Sequence, residues 1–173
     1  TQGVSSAASD VYKRQAACGT DIIFLESMIE RGAETHIFLP FAKKDFIEIS
    51  VRRAGGNWVS RFERVLDLAT SIHYVTKEGY FGDNALFSFC NNILLGFAAM
   101  RGRGMDEDPK LLVFWDGSPG SKGGTGELVK EWRNIFNDPI IIDSVKVLES
   151  VSGGQAYEPI SGCLLYTSPS PRD

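Results

Sequence analysis

The sequence predicts an α/β fold built on a doubly wound parallel sheet, and three observations predict it. Hydrophobic runs of helical and strand period alternate along the chain. The most strand-like run, residues 111–115, is apolar throughout, as strands covered on both faces of a parallel sheet are. That run leads into a glycine-rich loop and then a helical pattern, the junction at which such sheets hold ligands.

Each element has its own signal. Residues 20–31 carry Ile23, Phe24, Met28 and Ile29 at helical spacing, with Gly32 as the stop. Residues 35–39 form a short strand ended by Pro40. Two helices follow over 43–51 and 57–69. The second has Asn57 at its N-cap and Trp58, Phe62, Val65, Leu66 and Ala69 on one face. Residues 72–75 are the next strand, and Asp83 caps a long helix running to Arg101. After the strand at 111–115, a helix over 125–136 and a strand over 139–143 complete the alternation. Residues 149–162 have no clear period and read as a linker.

The two ends do not belong to this pattern. Residues 163–173, Cys-Leu-Leu-Tyr-Thr-Ser-Pro-Ser-Pro-Arg-Asp, back-translate to the mosaic end of a transposase-based sequencing library and its adjoining primer site. Residues 5–15 back-translate to the opposite adapter, in the orientation an insert requires, and residues 1–4 extend it. The expected organisation is therefore adapter over 1–15, domain over 16–148, linker over 149–162 and adapter over 163–173. Such segments are set aside in fold reasoning, and the natural protein is expected to continue past both cuts.

Setting them aside changes the charge. Of 18 basic and 22 acidic residues, three and two lie in the end segments, which leaves 15 and 20 and a net charge of −5. Phosphate neutralisation needs clustered Lys and Arg, so nucleic acid is not an expected partner. Cys163 lies in the end segment, and Cys18 and Cys90 have neither metal-ligand spacing nor a disulfide framework. The longest apolar stretch, residues 85–100, is broken by Ser88, Asn91 and Asn92 and is shorter than the ~20 residues of a membrane span. A soluble, cytoplasmic domain with no membrane partner is the expectation.

Two loops have the design of anion sites, in which glycines allow close backbone approach and a helix N-terminus offers free N–H groups. The first runs Trp115-Asp116-Gly117-Ser118-Pro119-Gly120-Ser121-Lys122-Gly123-Gly124-Thr125. It is neither a Walker loop nor a Gly-x-Gly-x-x-Gly fingerprint. Its glycines cradle a phosphate or simply turn the chain between strand and helix. The second is Cys18-Gly19-Thr20-Asp21, where Asp21 caps the helix or binds a ligand hydroxyl. Trp115, ending a strand beside the glycine loop, packs against the fold or flanks a bound base.

With Phe114-Trp115-Asp116-Gly117-Ser118, then Gly123-Gly124-Thr125 opening a helix, and Gly19-Thr20-Asp21 heading an earlier helix, the chain resembles the SLOG superfamily. This superfamily comprises Rossmann-like domains related to the DNA-processing protein A and to the lysine-decarboxylase-like phosphoribohydrolases called LOG. Residues 30–41, with Phe46, Ser50 and Val51, resemble a bacterial module found beside tetratricopeptide repeats or nucleotide cyclase domains. The resemblance covers residues 18–142. It implies a Rossmann-like sheet whose first strand lies before Ala16. It also implies a nucleotide-derived ligand, with phosphate against Gly117, Ser118, Gly123, Gly124 and Thr125 and the remainder near Gly19, Thr20 and Asp21. The expected role is a regulatory or sensor domain of a larger bacterial signalling protein, covalently linked to a cyclase or tetratricopeptide-repeat domain.

The chain departs from the hydrolase pattern, Pro-Gly-Gly-x-Gly-Thr followed by two glutamates. Glu127 matches the first glutamate, but Leu128 stands where the second, catalytic one belongs, so no catalytic residue is assigned. Cleavage of a nucleotide N-glycosidic bond and a protein-interaction module with a vestigial pocket remain as alternatives. His36 and His73 fall within strands, where packed histidines are commoner than catalytic ones, and no Ser-His-Asp order emerges. Met105-Asp106-Glu107-Asp108 lacks calcium-loop spacing, so no metal is expected there.

Overall fold

The computed structural model describes residues 11–106, 108–120 and 122–151. Its parallel strands fall into two small sheets. In the first, β1 (Val11–Arg14), β2 (Glu34–Leu39) and β3 (Ser71–Tyr74) lie side by side in that order. Lys13 pairs with His36, and His36 with Ser71. The second sheet pairs β4 (Leu112–Trp115) with β5 (Ile140–Asp143), Val113 opposite Ile141. β1 lies inside the segment that matches the adapter, whereas the native first strand is expected beyond the cut.

Helix α1 (Thr20–Glu30) starts after Gly19, whose φ of 91° is costly for any other residue. Its end is a Schellman motif: Ala33 N–H donates to Met28 O at 3.1 Å and Gly32 N–H to Ile29 O at 2.9 Å, with Gly32 at φ 75°. The expected single helix over 43–51 instead changes pitch. An α-turn, α2 (Lys43–Phe46), widens into a π-helical stretch over Ile47–Val51 and tightens over Arg52–Ala54. This change of pitch lets Phe46, Ser50 and Val51 all stay buried.

Helix α3 (Trp58–Leu68) buries Phe62, Val65 and Leu66, the face its periodicity predicts. Asn57 occupies the N-cap position but makes no side-chain cap hydrogen bond, a correction to its expected role. Arg61 of α3 ties the helix to α1, donating to both carboxylate oxygens of Glu26 while lying 4.2 Å over the Trp58 ring.

The core lies under the first sheet. Ile22 and Leu25 of α1, Ile37 and Leu39 of β2, Phe41, Phe46, Phe62 and Phe87 are all fully buried or within 1% of it. Phe41 sits at its centre, with ring centroids 5.2 Å from Tyr80, 5.3 Å from Phe87 and 6.0 Å from Phe46. At roughly 1.5–3 kcal/mol per buried large apolar side chain, these rings supply much of the driving force for this half.

Helix α4 (Ala85–Met105) joins the halves, contacting β2 on one side and α5 (Thr125–Ile135) on the other. The N-cap of α4 is Asn84, without a side-chain cap hydrogen bond, a correction to the cap expected at Asp83. Asp83, one residue earlier, accepts the Ala85 N–H at 2.8 Å in an Asx turn. No helix among the described residues is long and apolar enough to cross a membrane. Around the second sheet, Val113, Val129 and Trp132 are buried, but β5 is open, with Ile140, Ile141 and Ile142 exposed at 52%, 40% and 41%. The expectation that residues 111–115 are buried throughout therefore holds only for Val113; Leu112, Phe114 and Trp115 are half-buried. Glu149–Val151, expected to open a linker, complete α6 (Ser144–Val151), and residues 152–162 lie outside the described residues.

Candidate functional site

The sequence-predicted site residues sit at the carboxyl ends of β1 and β4, where the loops enter α1 and α5. Both helices have a glycine at the N-cap, Gly19 and Gly124, and neither receives a side-chain cap. First-turn N–H groups at such a start carry the positive end of the helix dipole, and each first turn holds one carboxylate, Asp21 in α1 and Glu127 in α5.

Asp21 does not cap α1, whose N-cap is Gly19. It is 1% exposed, accepts Arg14 Nε at 2.6 Å and also takes the Ala17 N–H, so it locks the end of β1 to α1. Burial raises its pKa to about 6, outweighing the lowering effect of Arg14 and of the Ala17 N–H. The Arg14 guanidinium lies 5.0 Å from the Phe24 ring centroid. Beside Asp21, the Thr20 hydroxyl oxygen is buried without a partner.

The glycine loop has two parts of different character. Its first part folds on itself: Asp116 Oδ1 accepts the Ser118 N–H at 2.8 Å, and Trp115 Nε1 donates to Ser118 O at 2.8 Å. This is an Asx turn closed by an indole, with Gly117 at φ 84° and with Gly117 and Ser118 exposed. Asp116 and Trp115 thus shape the loop.

The second part is clamped to α4. Gly123 is buried at φ 79°, and a Cβ there would stand 2.7 Å from Phe87 Cβ and 3.1 Å from the Ser88 nitrogen. Its N–H donates to Glu127 Oε2, which also accepts the Ser88 hydroxyl at 2.8 Å. Its carbonyl accepts Asn91 Nδ2 at 3.0 Å. Gly126 permits the rest of the fold-over, since a Cβ there would stand 2.2 Å from Pro119 O. Glu127, three residues after the cap, therefore reaches back in the manner of a capping box and holds the loop.

One hydrogen-bonded chain connects the two loops. Gln15 Nε2 donates to Asn91 Oδ1 at 3.0 Å, and Asn91 passes the connection to Gly123. Gln15 and Asn91 are 5% and 3% exposed. The strut joins Gln15, just after β1, to Gly123 in the second part of the glycine loop, while Gly117 and Ser118 are exposed. Asn91, Gln15 and Gly126 were not singled out from sequence. Asn91 left a signal, a polar residue interrupting the apolar run of α4.

Among the described residues six buried side-chain oxygens lack partners. Three lie at helix starts, Gln15 Oε1 before α1, Thr20 Oγ1 within its first turn and Asn84 Oδ1 at the N-cap of α4, and the others belong to Thr35, Ser50 and Glu131. Buried polar atoms are paired in the great majority of cases, so the three at the helix starts are candidate contacts for a polar ligand. Among the described residues no group of three His, Cys, Asp or Glu is placed to hold a metal. Compared with protein-family models, curated proteins and solved structures, the chain finds no match.

Proposed function

We propose that this chain carries the ligand-binding half of a nucleotide-sensing regulatory domain, with phosphate at the start of α5 and the rest of the ligand toward the start of α1. The observation that carries the reading is the set of unpartnered buried oxygens at helix starts, Gln15 and Thr20 at α1 and Asn84 at α4, together with the glycine caps of α1 and α5. Glycine-capped helix starts favour an anion, and orphaned acceptors favour the hydroxyl and amino donors of a sugar and base. Two of the three, Thr20 and Asn84, lie within the segment expected to be native.

The finer fold belongs to the same proposal. The two sheets are halves of one Rossmann-like sheet in the order β3-β2-β1-β4-β5, with the ligand where the order reverses between β1 and β4. The resemblance to the SLOG superfamily supports this, as do the parallel sense of both sheets and the strut through Asn91. Within this proposal the domain is cytoplasmic and regulates a covalently linked cyclase or tetratricopeptide-repeat domain. Glu127 serves the loop rather than the ligand, because its carboxylate is engaged by Gly123 and Ser88.

A thermal-shift panel of nucleoside mono-, di- and triphosphates, cyclic nucleotides, NAD and ADP-ribose tests the proposal. A ligand at a hundred times its Kd stabilises by about 2.7 kcal/mol, which for a chain of this size raises Tm by roughly 5–10 °C. Gly124→Trp fills the cradle and abolishes the shift. Ser118→Asp, at the exposed rim, adds like charge and weakens binding about tenfold while leaving the unliganded Tm in place. A panel without a single stabilising nucleotide sinks the idea.

A further inference from the structure

A second group of polar side chains lies on the face of the first sheet that α4 covers, in the amino-terminal half of β2 and along β3. Strand alternation turns Thr35, Ile37 and Leu39 into the core and Glu34, His36 and Phe38 to the other face. Parallel register then sets Lys13, His36 and Ser71 in one row and Phe38 and His73 in the next. Phe97 of α4 reaches this face, its ring centroid 5.4 Å from Phe38 and 6.4 Å from His73.

Ser71 Oγ lies 2.7 Å from His36 Nδ1 and 2.7 Å from His73 Nε2. A hydroxyl has one proton, so it donates to one imidazole and accepts from the other. The His73 ring is held flat on Phe38, with centroids 4.7 Å apart and planes 19° apart. Positive charge flanks the group: Lys13 of β1 pairs with His36 in the sheet and Arg101 follows Phe97 by one turn of α4, and both act on His36, as does His73 from β3. The acid acting on it is Glu34, with Oε2 3.9 Å from His36 Nε2. The His36 pKa is accordingly lowered, first by burial and then by Lys13, His73 and Arg101, with Glu34 opposing. The group is open to solvent, because His73 and Arg101 are exposed and His36 keeps 20% of its side-chain surface.

Two imidazoles also suit a metal ion, but Lys13 and Arg101 repel a cation, and no third ligand completes such a group among the described residues. With both imidazoles protonated, their N–H groups donate to Ser71 Oγ and free its O–H, so the cluster in this positive field suits an oxyanion. We propose that His36, Ser71, His73 and Arg101 form a second binding site, for a dianionic oxyanion of the phosphomonoester class, on the α4 face of the first sheet. Lys13 strengthens the field, but the four named residues carry the site, all of them between the adapter-like ends.

The chain has two histidines, so the imidazole proton spectrum of the full chain has two lines to follow. Their titration midpoints are measured in inorganic phosphate and in sodium chloride of equal ionic strength. Phosphate is expected to raise both midpoints by about one unit relative to chloride, since an opposite charge within hydrogen-bond reach favours the protonated imidazole. Arg101→Gln and, separately, Ser71→Ala are expected to weaken phosphate binding about tenfold, the loss of one charge-assisted hydrogen bond to the anion. Arg101 is exposed, so its variant tests the site without threatening the fold. Equal midpoints in the two salts overturn the proposal. A phosphate-induced rise that Arg101→Gln leaves intact also overturns it, because such a rise reports condensation on the general surface.

Discussion

The two sheets differ in how their strands are covered. The second half of β2 is sealed, with Ile37, Phe38 and Leu39 at 2% exposure or less and a cluster of buried phenylalanines beneath them. β5 is also apolar, yet Ile140, Ile141 and Ile142 are each at least 40% exposed. Similar strand chemistry thus gives a packed centre in one half and an open edge in the other. A strand run states that its residues want cover; only neighbouring elements decide whether they receive it. Stability is therefore expected to reside in the β1-β2-β3 half.

Truncating the best-packed ring breaks that comparison most severely. Phe41→Ala removes a fully buried side chain that touches three other rings and is expected to cost about 3–5 kcal/mol, whereas Ile141→Ala on the open strand costs under ~1 kcal/mol. Urea denaturation of the two variants measures both. Near-equal losses would mean that β5 is as well buried in solution as β2 and that the contrast is wrong.

The boundary between the halves is next. Gly123→Ala puts a left-handed φ on a residue with a Cβ and drives that Cβ against Phe87 and the backbone of Ser88. Strain and overpacking together are expected to cost about 3 kcal/mol. Gly117→Ala shares the positive φ but meets nothing within 4 Å, so the strain alone, about 1–2 kcal/mol, remains. If the two variants melt together, the close approach to α4 is not formed.

These glycines show what the sequence reveals and what it hides. The α/β alternation, the starts of α1 and α5, the buried face of α3 and the strands around His36 and His73 are all legible, because each rests on local periodicity or on a breaker. The division into two sheets is not, since pairing depends on partners distant in sequence. In the candidate site, the position of the glycine loop is legible but the reasons for its glycines are mixed. Gly117 serves a turn and Gly123 serves helix docking, and one-letter patterns do not separate the two. Asp21 reads as a cap or a ligand group because its actual partner, Arg14, precedes the loop by a few residues and is brought to it only by the strand.

Asp21 also makes the first half sensitive to pH. Its folded pKa, about 6, lies above the ordinary 3.8, so folding favours the protonated carboxyl. The associated stability is fully present below about pH 4 and is lost as pH rises through about 6. At 1.36 kcal/mol per unit, the loss across that window is about 2–3 kcal/mol. Urea midpoints of the parent chain and Asp21→Asn, followed across the window, measure it. The variant is expected to lack this component, and parallel profiles would show that burial does not govern Asp21.

The smallest effect sharpens the comparison most. Asn91→Ala removes the strut between Gln15 and Gly123, leaving two buried partners unsatisfied at a cost of about 1–2 kcal/mol. Because the lost bonds join the halves rather than stabilise either core, the effect should be uneven. Amide exchange at Gly123 and in the first turn of α5 should quicken, while the β2 amides, sealed by the aromatic core, should keep their protection. If β2 loses protection in step with α5, the two halves unfold as one cooperative unit, and the open β5 edge is then a feature of one domain's surface rather than the mark of a less stable half.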